Sequence, residues 1–318
     1  MKQIAIIGAG NWGTALAIIA ARAGHSVNLW SRNPARNSVS IPANVTATSD
    51  LNEALHDASM ILFAAPSHTA RELLTAISPL LAEATIIVSV SKGIEIETGK
   101  RISEIAKEVA GSAYPFVCLS GPSFAKEVVA GYPTAIVAAS KDAAAARAVQ
   151  NDLSFENLRI YTNSDVVGTE IGGSVKNVMA IAAGMTTGLG FGSNSVAALI
   201  TRGLAEITRL ARREGAQIET LMGLAGLGDL VLTCTGALSR NRFVGEQLGK
   251  GKTLAEITAD MTEVAEGINT ARAVKKLADR AGLEMPITNE VNAVLYDGKP
   301  ARDAVAELMS RPLREEIT

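Results

Sequence analysis

Reactive groups stand at a few places in this 318-residue sequence, in patterns that chemistry can use. Gly8, Gly10 and Gly13 form a GxGxxG turn between an apolar run at 4–7 and a helical stretch. The first glycine allows a tight turn, the second lets backbone approach a pyrophosphate, and the third lets helix and strand pack closely. The phosphates then meet a helix N-terminus. Lys176 stands among Gly172, Gly173, Val175, Val178 and Met179, with Asn177 beside it. A segment of that composition is buried, and a lysine there is costly unless paired or functional. Losing water lowers its pKa toward the range where it exchanges a proton with a carbinol oxygen. A stem that snorkels to solvent is the competing reading.

Asp229 sits between Leu227, Gly228, Leu230 and Val231, where a carboxylate orients a lysine or caps the helix that follows. Ser239, Arg240 and Asn241 open another helix; a hydroxyl, a guanidinium and an amide at a helix N-terminus suit a phosphate. Lys92, between Ser91 and Gly93, follows a strand candidate and should reach the crevice at the carboxyl edge of a sheet. Gly121, Pro122 and Ser123 follow the next strand candidate, bringing backbone N–H groups and a hydroxyl beside it. Ser123 also suits the N-cap of a helix.

Two kinds of scaffold must hold these groups. Apolar runs at 4–7, 26–30, 60–64, 86–90, 116–119, 135–138 and 158–161 read as strands separated by helices, such as 12–23. Continuous apolar strands alternating with helices predict a parallel sheet covered on both faces. From 166 to 308 helical periodicity takes over, clearest at 195–213, where apolar residues recur at three-to-four spacing. The expected class is α/β: a Rossmann-type doubly wound parallel sheet over 1–164 and an all-α substrate-binding part over 165–318. No internal repeat is visible.

The end of the second strand chooses between cofactors of this kind. An acidic residue there would hold a ribose 2′-hydroxyl, but the chain has Ser31 and Arg32, with Asn33 and Arg36 beyond. A guanidinium suits a 2′-phosphate, or stacks on adenine, so NADP(H) is favoured and NAD(H) is also admitted. A solvated loop charge is the other reading of Arg32.

Composition excludes other classes. With 47% apolar and 19% charged residues the chain can fill a core and is no disordered chain. Aromatics at 4% and a net charge of −2 give neither a stacking surface nor a basic stripe, so no nucleic-acid partner is expected. Cys118 and Cys234 have no zinc spacing and read as small buried groups; with three scattered histidines, no metal is expected. His25, His56 and His68 read as loop or surface residues without a catalytic part. The apolar run from Ile4 to Ala21 could pass for a secretory leader, but Asn11, Trp12 and Thr14 interrupt it, and it is read as strand and helix. Membrane insertion is not expected. The location is read as cytoplasmic, and an apolar helical half admits a homodimer.

One set of motifs goes further than these parts. GAGNWGTALA, SKGIE, LSGPSFAKEV, GGSVKNVMAIAAG, AALITRGLAE, GLGDLVLTC, SRNR and EVAEGINT occur in one order. From Lys2 to about Ala293 the sequence resembles the soluble NAD(P)-dependent sn-glycerol-3-phosphate dehydrogenase family. The resemblance implies reversible hydride transfer between a nicotinamide and C2 of a three-carbon phosphate, with Lys176 as general acid/base. Lys92, Asp229 and Asn177 would hold and polarise the reacting centre. It further implies cofactor contacts from Asn11, Trp12, Asn33, Lys92, Ala125, Arg240, Val264 and Glu266, beside the glycines and Arg32. Substrate contacts would come from Lys92, Gly121, Ser123, Lys176, Asp229, Ser239, Arg240 and Asn241. The product would feed phospholipid synthesis. Glu266 equally suits a plain surface charge.

One departure stands out: 32–49 is short where many relatives carry an insertion with a Tyr-Leu-Pro motif, which puts the adenosine end of the site in question. Two alternatives remain. A β-hydroxyacid dehydrogenase would place its asparagine four residues after the lysine, where this chain has Ala180. A non-catalytic NADPH-binding regulator would have no use for Lys176 or for 239–241.

Overall fold

The computed structural model describes residues 1–34, 41–259, 261, 264–313 and 315–316. Eight strands form one sheet: β1 Gln3–Ile7, β2 Ser26–Trp30, β3 Val45–Thr48, β4 Met60–Phe63, β5 Ile86–Ser89, β6 Phe116–Ser120, β7 Thr134–Ala139 and β8 Leu158–Asn163. Their order is β3-β2-β1-β4-β5-β6-β7-β8. Between them run α1 Asn11–Arg22, α2 Leu51–Leu55, α3 Ala70–Ile77, α4 Ile102–Ala110, α5 Ala125–Val129 and α6 Ala143–Leu153. The remainder is helical: α7 Val166–Gly188, α8 Ser193–Arg213, α9 Ile218–Leu221, α10 Asp229–Thr235, α11 Arg240–Gly249, α12 Leu254–Ala259, α13 Glu266–Ala281, α14 Pro286–Tyr296 and α15 Ala301–Ser310.

All seven expected strands form, and the expected α/β sheet followed by helices is present. Two features differ from the sequence reading. β3 is an additional edge strand, and β7 runs antiparallel to β6 while the other pairs are parallel. The β6–β7 link holds a helix of only five residues. Such a helix rises about 7 Å, too little to carry the chain back along a strand of about 17 Å, so β7 starts at the end where β6 stops.

The strand order reverses between β1 and β4, which opens a crevice at their carboxyl ends. Gly8, at the end of β1, has φ of 117°, and a Cβ there would lie 2.7 Å from the backbone nitrogen of Ala65 after β4. A Cβ on Gly13 would lie 1.9 Å from the Gly8 carbonyl oxygen, so α1 packs directly on the turn.

The central helix of the second half is α7, buried along nearly its whole length. Glycines let α11 lie backbone to backbone against it: a Cβ on Gly184 would sit 2.0 Å from the Arg242 carbonyl, and one on Gly245 1.9 Å from that of Ile181. This seam brings the start of α11 beside the middle of α7. Glu206 of α8 is buried and caps α14, accepting from the Ile287 and Thr288 N–H groups at 2.6 and 3.2 Å.

His25 is a loop residue, as read from the sequence, and it is buried, its ring 3.0 Å from the Asp152 carbonyl. Both cysteines are buried and free, as expected. Ile218–Thr235 is long and apolar enough to cross a membrane by composition. In the fold it is broken into α9, a π turn and α10, and it carries Asp229.

Candidate active site

Lys176 projects from the middle of α7 and is 6% exposed. Its Nζ donates to Asp229 Oδ1 and to Thr233 Oγ1, each at 2.6 Å. Lys92 extends from the loop after β5, and its Nζ donates to Asp229 Oδ2 at 2.6 Å and to the Gly121 carbonyl at 3.1 Å. One carboxylate, 1% exposed, thus bridges two ammonium groups. Asp229 is the first residue of α10, yet its side chain does not cap that helix; the lysines take both of its oxygens. Lys92 therefore reaches the crevice edge as expected, and the snorkelling reading of Lys176 is excluded.

Burial brings the Lys176 ammonium down to about 8, with Asp229 opposing the fall and the charge on Lys92 adding to it. Burial alone would raise the Asp229 carboxyl, but two ammonium groups in contact outweigh this and hold it below the usual carboxylate range. Cys234, close to this group, is pushed up to about 12 by burial and is no nucleophile at neutral pH.

Asn177, 4% exposed, accepts from the Asn241 amide at 2.9 Å, and Asn241 in turn accepts from the Gly267 N–H at 2.9 Å. Ser239 is the N-cap of α11, accepting from the Arg242 N–H at 3.2 Å, and Arg240 at the first helical position is exposed. Ser239, Arg240 and Asn241 thus open a helix as the sequence suggested, with Asn241 touching the neighbour of Lys176. Ser123 does not cap α5; its hydroxyl donates to the Gly121 carbonyl at 3.0 Å. Gly121 and Ser123 lie beside Lys92 through that shared carbonyl.

On the sheet side, space in front of Gly10 is open: an added Cβ would meet nothing within 4 Å. The turn, the exposed Asn11 and the half-buried Trp12 fit a dinucleotide phosphate against the start of α1. Arg32 and Asn33 are exposed just past β2, where a ribose would lie. Arg36 lies outside the described residues. Ala125 begins α5, Val264 is exposed, and Glu266 begins α13 with its carboxylate held by Ser67.

Two residues escaped the sequence reading. Thr233 lies one helical turn after Asp229, a spacing that puts both on one face of α10. Ser67 joins Glu266 across 199 positions, and no local pattern announces it.

A dinucleotide-binding sheet, a glycine turn and a buried lysine–carboxylate clamp at its carboxyl edge define a two-part α/β dehydrogenase. Residues 3–146 match the family described as NAD-dependent glycerol-3-phosphate dehydrogenase N-terminus, and residues 165–306 match its C-terminus. The chain belongs to the NAD-dependent glycerol-3-phosphate dehydrogenase family. It is 52% identical over 335 residues to glycerol-3-phosphate dehydrogenase [NAD(P)+] of Koribacter versatilis, covering 100% of this chain and 99% of that one. It is 50% identical to the enzyme of the same name from Citrifermentans bemidjiense, covering 99% of each. The crystal structure of glycerol-3-phosphate dehydrogenase from Coxiella burnetii superposes with a TM-score of 0.94 at 39% identity, over 98% of this chain and 99% of that one.

Proposed function

We propose that this chain interconverts dihydroxyacetone phosphate and sn-glycerol 3-phosphate, using NADP(H) in preference to NAD(H). The observation that carries the reading is Asp229 clamped between Lys92 and Lys176, next to the start of α11. Held against the Gly8–Gly13 turn and Arg32, the dinucleotide would supply or accept the hydride. Lys176 gives its proton to the ketone oxygen during reduction and takes one from the carbinol during oxidation. Asp229 holds both lysines in place and keeps their charge tolerable inside the protein. Asn177, fixed by Asn241, offers its amide to the same centre. Ser239, Arg240 and the N-terminus of α11 take the phosphate, whose binding energy orients the ketone. Residues 1–164 serve the dinucleotide and 165–318 the substrate and the chemistry. A cytoplasmic location, a homodimer and supply of glycerol phosphate for phospholipid synthesis go with this reading.

Loss of NADPH absorbance on adding dihydroxyacetone phosphate, against a panel of hydroxyacids and their keto forms, tests it directly. Arg240→Ala should raise KM for the phosphorylated substrate and lower kcat, because phosphate binding energy positions the ketone. Parental kinetics in that variant would place the phosphate elsewhere. Arg32→Ala should weaken NADPH by roughly ten- to a hundredfold, the worth of a hydrogen bond to a charged group, with a smaller effect on NADH. Equal losses for the two cofactors would reject the 2′-phosphate contact.

With Lys176 at about 8, the ammonium needed for reduction disappears as pH rises past that value. The reduction rate should therefore fall above it, while oxidation, which needs the free amine, should climb up to it and then level. Rates measured in both directions across the alkaline range decide this; parallel profiles would show that another group titrates.

A further inference from the structure

Ser67 follows β4, and Glu266 opens α13. The Ser67 N–H donates to Glu266 Oε1 at 2.9 Å and its hydroxyl to Oε2 at 2.5 Å. Both oxygens of one carboxylate are thus taken by one residue, which is 5% exposed. Gly93 lies directly against this pair: a Cβ there would fall 2.1 Å from Ser67 Oγ and 3.3 Å from Glu266 Oε2. Ser91, two residues earlier, donates to the carbonyls of Ala65 and Phe63 at 2.5 and 3.2 Å. The three-residue turn holding Lys92 is therefore pinned at both ends, by Ser91 to the end of β4 and by Gly93 to the Ser67–Glu266 pair.

We propose that Ser67 is a positioning residue: with Glu266 it clasps the helical half to the sheet and seats the Ser91-Lys92-Gly93 turn, so that Lys92 meets Asp229. The chemistry suits the task. A backbone N–H and a hydroxyl on adjacent atoms match the two oxygens of a carboxylate, and such charge-assisted bonds hold geometry well. Gly93 supplies the missing side-chain volume that lets the turn lie on the clasp. Lys92 cannot set its own position from the carboxylate alone, because Asp229 is shared with Lys176. A misplacement of about an ångström far from the chemistry is enough to cost a large factor in rate.

This inference rests on the proposed activity for its kinetic arm, so a second arm is independent of it. Ser67→Ala removes the hydroxyl and keeps the backbone donor, a change small enough to preserve the fold. In that variant, reduction at saturating NADPH should fall about tenfold or more in kcat. The alkaline fall in rate should move to higher pH, because Lys176 loses a neighbouring positive charge. The double variant Ser67→Ala/Glu266→Gln should be no worse than Glu266→Gln alone, as expected of partners in one contact. Acylation of Lys92 by an amine-directed reagent, followed by mass spectrometry, should rise severalfold in Ser67→Ala, with or without any activity. Parental kcat, an unmoved pH profile and unchanged Lys92 labelling would overturn the proposal. Rates that recover fully at saturating NADPH would also overturn it, by assigning Ser67 to the cofactor. A parent inactive on dihydroxyacetone phosphate would instead defeat the activity, and the labelling arm would still decide the clasp.

Discussion

Asp229→Asn is expected to lose both stability and reduction rate, and to move the alkaline limb of the rate toward lower pH. Asparagine keeps the shape of the side chain and removes the one negative charge that Lys92 and Lys176 share at 2.6 Å each. Breaking a buried pair by removing one partner costs about 3–5 kcal/mol, because a charge is left uncompensated. Two ammonium groups would then face each other, and Lys176, already at about 8, would fall further without its counter-charge. Its deprotonation relieves part of the penalty. A lysine whose folded pKa lies below its unfolded one binds fewer protons when folded, so stability rises with pH across the gap between the two values. The deficit of Asp229→Asn against the parent should therefore be largest between the carboxylate range and about 8 and shrink on the alkaline side. It should shrink also at strongly acidic pH, where the parent's own carboxylate is protonated. At neutral pH the missing ammonium should cost about a hundredfold or more in reduction. Thermal unfolding at several pH values and a reduction profile check both halves; an unchanged melting temperature with the limb still near 8 would show that Asp229 does not set the charge of this site.

How much of this was legible beforehand depends on the range of the interaction. The sheet core was readable because continuous apolar strands carry their own signal, and Gly8, Gly10 and Gly13 sit where that signal ends. β3 was missed because VTAT is short and polar at two of four positions, exposed at the sheet edge. The direction of β7 is hidden in the sequence because strand composition does not encode direction; only the length of the intervening helix does. Lys176 stood out because a charge in an apolar helix is locally anomalous. Its geometry did not: the pairing with Asp229 spans 53 positions, and that of Lys92 spans 137. Thr233 was within reach, since a hydroxyl four residues after a suspected carboxylate on one helix shares its face. Ser67 and Gly93 were not, because only the packing of α13 against the β4 and β5 loops brings them together.

The glycines of α7 show the same limit from the other side. Their number marked the helix as closely packed, but only the fold shows which backbone each one meets. Gly184 faces the Arg242 carbonyl and Gly245 that of Ile181 across the α7–α11 seam, so a side chain at either would push the start of α11 away from Asn177. The start of α11 is thus set by backbone contact along the seam as well as by the Asn241–Asn177 bond.

Lys176→Met carries the second large effect, and it falls on kcat alone. Methionine keeps the bulk of the stem inside α7 and removes the ammonium with its two bonds to Asp229 and Thr233. Asp229 does not become an orphan, because Lys92 still donates to its other oxygen at 2.6 Å and the pair is then one to one. The fold should therefore tolerate the change. Below about 8 the parent bears the cost of a buried, charged lysine, and the variant does not, so its stability should match or exceed the parent at neutral pH. As pH rises from about 8 toward the ordinary lysine value of 10.5, the parent sheds that cost and the advantage should vanish. The cofactor contacts proposed above do not include 176, and Lys92 keeps its bond to Asp229, so NADPH affinity should stay near the parental value. Proton transfer has no substitute of matching position: Lys92 is tied to Asp229 and to the Gly121 carbonyl. Removing a general acid/base typically costs about 10²–10⁴-fold, and kcat should fall by that factor in both directions. A folded variant that binds NADPH and keeps more than about a tenth of the parental kcat would move the proton-transfer role to Lys92, where the same substitution is the next measurement.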